Sequence, residues 1–106
     1  MTTDNIHEGY VRTEHHRGIT TIEFFHPQSN SLPGLLLERL AHAVHGAGND
    51  KDTKVIILRS GGERAFCAGA SFDELLAIEN AEQGYQFFVG FANLINAMRK
   101  CPQFII

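Results

Sequence analysis

Apolar residues change their spacing several times along the chain, and each change marks an element. Tyr10 to His15 predicts a first strand, and His16-Arg17-Gly18 a turn. Ile19 to Phe25 is β-branched and aromatic, which predicts the second strand of a hairpin. His26 to Pro33 holds two prolines, an asparagine and two serines, so it reads as a loop. Leu35, Leu36, Leu40, Val44 and Ala47 recur at helical spacing, with Glu38, Arg39, His42 and His45 between them. That pattern predicts an amphipathic helix over about 34–47, ended by Gly48-Asn49-Asp50. Lys54 to Arg59 contains a short continuous apolar run, the pattern of a strand buried on both faces in a parallel sheet. Gly61-Gly62 breaks it. Asn80 with Gln83 forms a helix-start signal, and Phe88, Phe91, Ile95 and Met98 mark that helix's expected apolar stripe. Pro102 stops it, and Phe104-Ile105-Ile106 begins a last strand.

The order is hairpin, helix, strand, loop, helix, strand. Strands alternating with helices imply βαβ crossovers, hence an α/β class. No internal repeat is visible. Residues 1–9 are polar and aperiodic and read as a flexible N-terminus, with one core domain over 10–106. Phe104-Ile105-Ile106 is a bare apolar strand that needs backbone partners, so the expectation is an N-terminal portion of something longer.

Composition narrows the partners. The chain has 106 residues, 43% hydrophobic and 20% charged, which is a globular balance. A net charge of -3 gives no support to nucleic-acid binding. No apolar run approaches the ~18–20 residues of a membrane span. Met1-Thr2-Thr3-Asp4 does not resemble a secretory start, so a cytoplasmic protein with no membrane partner is expected. Cys67 and Cys101 stand in no metal-binding spacing, so reduced thiols and no metal are expected.

Candidate chemistry lies in Ala65-Phe66-Cys67-Ala68-Gly69-Ala70-Ser71-Phe72-Asp73-Glu74-Leu75. Ser71 and Glu74 fit a capping box, in which Glu74 reaches back to Ser71. Small side chains at 68–70 let a ligand approach the backbone, and free amides before a helix are donors for an oxyanion. The same residues equally suit a tight packing turn. Elsewhere, His42 and His45 lie three apart on a helix, which suits either a metal or a polar face. Glu74 and Glu79 read as a solvated helical face rather than working acids. Cys67 reads as a buried small residue rather than a nucleophile, and Phe87, Phe88 and Phe91 read as core ahead of an acyl pocket or an oligomer contact.

The block Ala65-Phe66-Cys67-Ala68-Gly69-Ala70 closely resembles the signature of the crotonase, or enoyl-CoA hydratase/isomerase, superfamily. His26-Pro27-Gln28-Ser29-Asn30-Ser31-Leu32 resembles that family's Pro-x-x-x-Asn-Ala-Leu loop, and Cys101-Pro102-Gln103-Phe104-Ile105-Ile106 its Lys-Pro-x-Ile-Ala-Ala segment. The resemblance spans roughly residues 11–106. It implies a crotonase-like spiral of ββα units, incomplete in this chain. It also implies an acyl-CoA thioester substrate, whose enolate is stabilised by two backbone amides. The first maps onto Ala70, and the second onto a segment after Ile106. Ala68, Gly69, Ala70, Ser71 and Phe72 become substrate contacts. Pro27, Gln28 and Ser29 become neighbours of the CoA moiety, and Arg64 either meets a CoA phosphate or is merely solvated. No separate cofactor is implied, because coenzyme A enters with the substrate. A homotrimer or hexamer is implied as well. Hydration of a 2-enoyl-CoA is the leading reaction and isomerisation the next. The alternatives are a hydrolase relative with other acid–base residues, or a non-catalytic binding or assembly protein. Ser71 replaces the family's usual Asp, and Pro33-Gly34 is unusual after the Asn-Ser-Leu match.

Overall fold

The computed structural model describes residues 8–106, so residues 1–7 of the expected N-terminal segment lie outside the described residues. Glu8 sits in a turn and Gly9 in a single bridge. Strands β1 (Tyr10–His16) and β2 (Ile19–Phe25) form the antiparallel hairpin. Arg17 and Gly18 join them at φ 51° and 84°. Positive φ at both central residues is what a type I′ turn requires, and that turn follows the right-handed strand twist. Strand β3 (Ser31–Leu32) and helix α1 (Gly34–Gly48) precede β4 (Val55–Ser60). Strand β5 (Gly69–Ala70), the short helix α2 (Phe72–Leu76), helix α3 (Ala81–Lys100) and β6 (Phe104–Ile105) complete the order.

The main sheet runs β1-β2-β4-β6, and β4 lies parallel to both β2 and β6. A small second sheet pairs β3 with β5 in parallel. Ile22, Phe24 and Ile56 point from the main sheet onto Leu36, Leu37, Leu40 and Val44 of α1. Full burial of such a side chain contributes about 1.5–3 kcal/mol, so this seam dominates the fold. At the opposite end, Thr20 and Thr53 share a buried hydroxyl hydrogen bond of 2.7 Å. Thr53 also donates to Asp50 at 2.9 Å, which ties the hairpin to the turn before β4.

Several sequence expectations need correction. The 26–33 loop contains β3, and the candidate segment contains β5. Two-residue strands carry no alternation of their own and exist only through each other. On α1, Leu37 is buried while Leu35 is 48% exposed. Leu36, Leu40, Val44 and Ala47 follow one seam with Leu37 beside it, and Leu35 lies a hundred-degree step outside. On α3 the buried residues are Phe87 and Leu94, whereas Phe88 and Ile95 are 57% and 53% exposed. The seam runs 87–91–94–98, and residues 88 and 95 share a neighbouring face. Strand β4 is not covered on both sides. Ile56 is fully buried, but Val55, Ile57 and Leu58 are only half-buried.

Candidate functional site

The second sheet sets the geometry of the small-residue segment. Gly69 takes φ 94°, a backbone conformation that L side chains rarely adopt. A Cβ there would meet nothing, so conformation and not space calls for glycine. The register places Leu32 opposite Ala70. Parallel ladders bond alternate residues. Pro33 has no N–H to give the Ala70 carbonyl, so this register favours bonding through Leu32, a pattern that leaves the Ala70 N–H off the β3 side. No turn, loop or cap hydrogen bond among the described residues uses it. Ala70 is half-buried, Ala68 is exposed, and Phe72 is 65% exposed.

Ser71 is buried and is the N-cap of α2, its Oγ accepting from the Glu74 amide at 3.3 Å. The expected cap is thus present without the family's usual Asp. Ser71→Ala is expected to cost about 1 kcal/mol, while Ser71→Asp retains an equally good acceptor. Denaturant midpoints of the full-length variants check this, and equal stability of Ala and Ser at 71 would remove the capping role. The other half of the box is corrected. Glu74 does not turn back to Ser71, nor is it a merely solvated side chain. It is half-buried, and its Oε1 accepts from the Gly34 amide at 2.9 Å.

The 26–30 loop lies alongside. Ser29 and Asn30 both occupy the left-handed region, at φ 58° and 60°. Asn30 is 2% exposed and bonds through every polar group it has. Its Oδ1 accepts from the His26 amide at 2.8 Å, and its Nδ2 donates to the carbonyls of Gly61 and Ala65 at 2.9 Å each. Its backbone N–H donates to His26 at 2.9 Å, and its carbonyl accepts from Ala68 at 3.4 Å. Gln28 Nε2 donates to Asp73 at 3.2 Å, which links the loop to the start of α2. Burial holds His26 below the ordinary imidazole value, while the carboxylates of Asp73 and Glu74 pull the other way. A neutral ring suits its contacts, since Nδ1 accepts from the Gln28 amide at 3.1 Å.

The expected contacts therefore fall into two groups. Pro27, Ser29 and Arg64 line one groove of about 260 Å³, with His26, Asn30 and the Gly61-Gly62 turn. Ala68, Gly69, Ala70, Ser71 and Phe72 form the neighbouring β5–α2 turn, to which Gln28 is joined through Asp73. Sequence reasoning passed over the structural role of Asn30 and gave Glu74 a different one. Asn30 stood inside a motif, and its left-handed tolerance was the available signal. The local signal at Glu74 pointed to Ser71, because its actual partner lies 40 residues away. His42 and His45 line a groove between α1 and α3 with Asn93, Asn96 and Lys100. No group of three potential metal ligands forms among the described residues. Cys67 Sγ accepts from the Gly69 amide at 3.4 Å. Phe87 is buried and Phe91 half-buried, but Phe88 is not core. No described helix is long and apolar enough to cross a membrane.

Chemically, the arrangement offers a backbone amide in a small-residue turn before a helix, beside the buried Asn30 hydrogen bonds. A family model described as enoyl-CoA hydratase/isomerase matches residues 14–106. A protein of Rhodococcus jostii named (7aS)-7a-methyl-1,5-dioxo-2,3,5,6,7,7a-hexahydro-1H-indene-carboxyl-CoA hydrolase is 36% identical over 93 residues, 88% of this chain and 32% of its own length. A Mycobacterium tuberculosis protein of the same name is 36% identical over 84 residues, 79% of this chain and 30% of its own. The chain thus spans about a third of the curated relatives it matches. The crystal structure of an enoyl-CoA hydratase/carnithine racemase from Magnetospirillum magneticum superposes with a TM-score of 0.82 at 25% identity, covering 97% of this chain and 38% of that one. An enoyl-CoA hydratase from Bacillus anthracis gives 0.80 at 27% identity, covering 90% and 37%.

Proposed function

This chain belongs to the enoyl-CoA hydratase/isomerase family, and we propose that it supplies the first oxyanion donor of an acyl-CoA-processing enzyme. Its α/β architecture is the crotonase fold, present in part. What supports the proposal is the β3–β5 register, which together with Pro33 leaves the Ala70 N–H off the β3 side at the entrance to α2. Removing a proton from the carbon beside a thioester, or adding water to an adjacent double bond, drives negative charge onto the thioester oxygen. A fixed donor aimed at that oxygen binds more strongly as the charge grows, which lowers the barrier. Ala68, Gly69, Ser71 and Phe72 would border the thioester. Pro27, Gln28, Ser29 and Arg64 would lie towards the CoA moiety.

The second donor and the acid–base groups are assigned to parts of the protein outside the third that this chain matches. Residues 1–106 alone are therefore not expected to catalyse. The reading includes no cofactor beyond the substrate's own coenzyme A. It also includes self-association as a trimer or hexamer and a cytoplasmic location.

Two reactions compete. Hydration or isomerisation of an enoyl-CoA agrees with the family description. A specific observation favours hydrolysis as the second reading: both curated relatives at 36% identity carry the name of a carboxyl-CoA hydrolase. Either reaction can use an oxyanion donor at the same place. The test is turnover by the full-length protein of a 2-enoyl-CoA, a 3-enoyl-CoA and a bicyclic dioxo carboxyl-CoA. Turnover of a thioester but not of the matching free acid is expected. Tight binding without turnover of any of the three would favour the non-catalytic alternative.

A further inference from the structure

Helix α2 has five residues and buries none of them. Phe72, Leu75 and Leu76 are all exposed, at 65%, 40% and 68%. Apolar packing therefore does not set where this helix sits among the described residues. Yet α2 follows Ala70 directly, so its placement decides where the Ala70 amide points.

Polar contacts do the holding. Ser71 and Asp73 supply two of them, to the Glu74 amide and to Gln28. Glu74 supplies the one that reaches another element of the core. Helix α1 begins after Pro33, which offers no side-chain cap. The Gly34 amide is therefore one of the orphan donors of a helix start. Glu74 Oε1 accepts from it at 2.9 Å. The same carboxylate lies in the first turn of α2, so it sits at the positive ends of two helices at once.

We propose that Glu74 is a positioning residue. Its carboxylate latches α2 to the start of α1 and thereby fixes the Ala70 amide. The inference rests on the reading of Ala70 as an oxyanion donor. Glu74 moves no proton and needs no contact with substrate. What it supplies is an acceptor oxygen, which Gln can also supply.

The test compares Glu74→Ala and Glu74→Gln in the full-length protein. In Glu74→Ala, kcat should fall about 10- to 100-fold, because small misplacements of a catalytic group are costly. KM should stay within about twofold, since the lost interaction belongs to the transition state. Glu74→Gln should recover kcat to within about threefold of wild type by restoring the neutral hydrogen bond. Amide exchange gives a readout that needs no activity. The amides of Gly34 and residues 69–72 should exchange at least about fivefold faster in Glu74→Ala, with the β1–β2 hairpin unchanged. A lowered Tm with wild-type kcat would overturn the proposal. So would a Glu74→Gln variant as slow as Glu74→Ala, which would mean that the carboxylate's charge or proton matters. Unchanged exchange at Gly34 and residues 69–72 would overturn it too. If the wild-type protein turns over no thioester, the functional reading fails by itself, and the exchange measurement still decides the latch.

Discussion

An ester in place of the amide between Gly69 and Ala70 is expected to lower kcat by about 10²–10³ in the full-length protein, with little change in affinity for the acyl-CoA. The replacement deletes the N–H of Ala70 and leaves its methyl group in place. If the amide meets an oxygen whose charge grows during the reaction, its loss is felt in the transition state more than in the ground state. The fold should survive, because the β3–β5 ladder does not use this N–H. The ester does weaken the Gly69 carbonyl that Leu32 faces, so a stability loss of about 1 kcal/mol accompanies it. Side-chain substitutions bracket the result. Ala70→Gly keeps the donor and should retain substantial activity. Ala70→Pro removes the donor and fixes φ, and should lose activity severely. Wild-type turnover in a folded Ala70 ester would sink the assignment, and the segment would be a packing turn that its small residues equally allow.

Legibility in the sequence followed the range of the interactions. The hairpin, α1, β4 and α3 were readable because each carries its own periodicity or cap. Asn80 accepts from the Gln83 amide at 2.9 Å, and Ser71 caps α2, both as local spacing predicts. The resemblance at Ala65–Ala70 led to the right family for the same reason, since its residues are contiguous. Errors arose where neighbours in space decide. Phe88 and Phe87 are chemically identical, and only the direction of α1 tells which one is buried. Glu74 satisfies the local capping pattern, yet its carboxylate goes to Gly34 because α1 starts without a cap. Strands β3 and β5 were invisible for a similar reason, as neither is long enough to show alternation and each needs the other.

Asn30 is where local and long-range information meet, and its replacement is expected to be strongly destabilising. Asn30→Ala leaves the carbonyls of Gly61 and Ala65 and the amide of His26 without their present partners. A buried group left unpaired costs about 1–3 kcal/mol. Gly61 is buried and bears that cost in full, whereas Ala65 is exposed and can turn to water. The backbone adds a second component. At φ 60°, alanine suffers about 1–2 kcal/mol of left-handed strain that asparagine tolerates better. The sum is about 2–5 kcal/mol. Asn30→Gly separates the parts, because it loses the same hydrogen bonds without the strain. It should be about 1 kcal/mol more stable than Asn30→Ala. Asn30→Asp separates them differently. One carboxylate oxygen keeps the His26 amide, but the other faces two carbonyls with no proton to share. The folded state therefore raises that carboxyl's pKa and binds more protons than the unfolded chain. Stability should be highest in acid and fall as pH rises through the folded-state pKa. Denaturant titrations of the full-length variants at several pH values read all three effects. An Asn30→Asp protein whose pH dependence matched wild type would mean that Nδ2 does not serve those carbonyls. The bracket joining the 26–30 loop to the 61–65 turn would then lose its physical basis. With it would go the link that holds together the two sides of the groove lined by Pro27, Ser29 and Arg64.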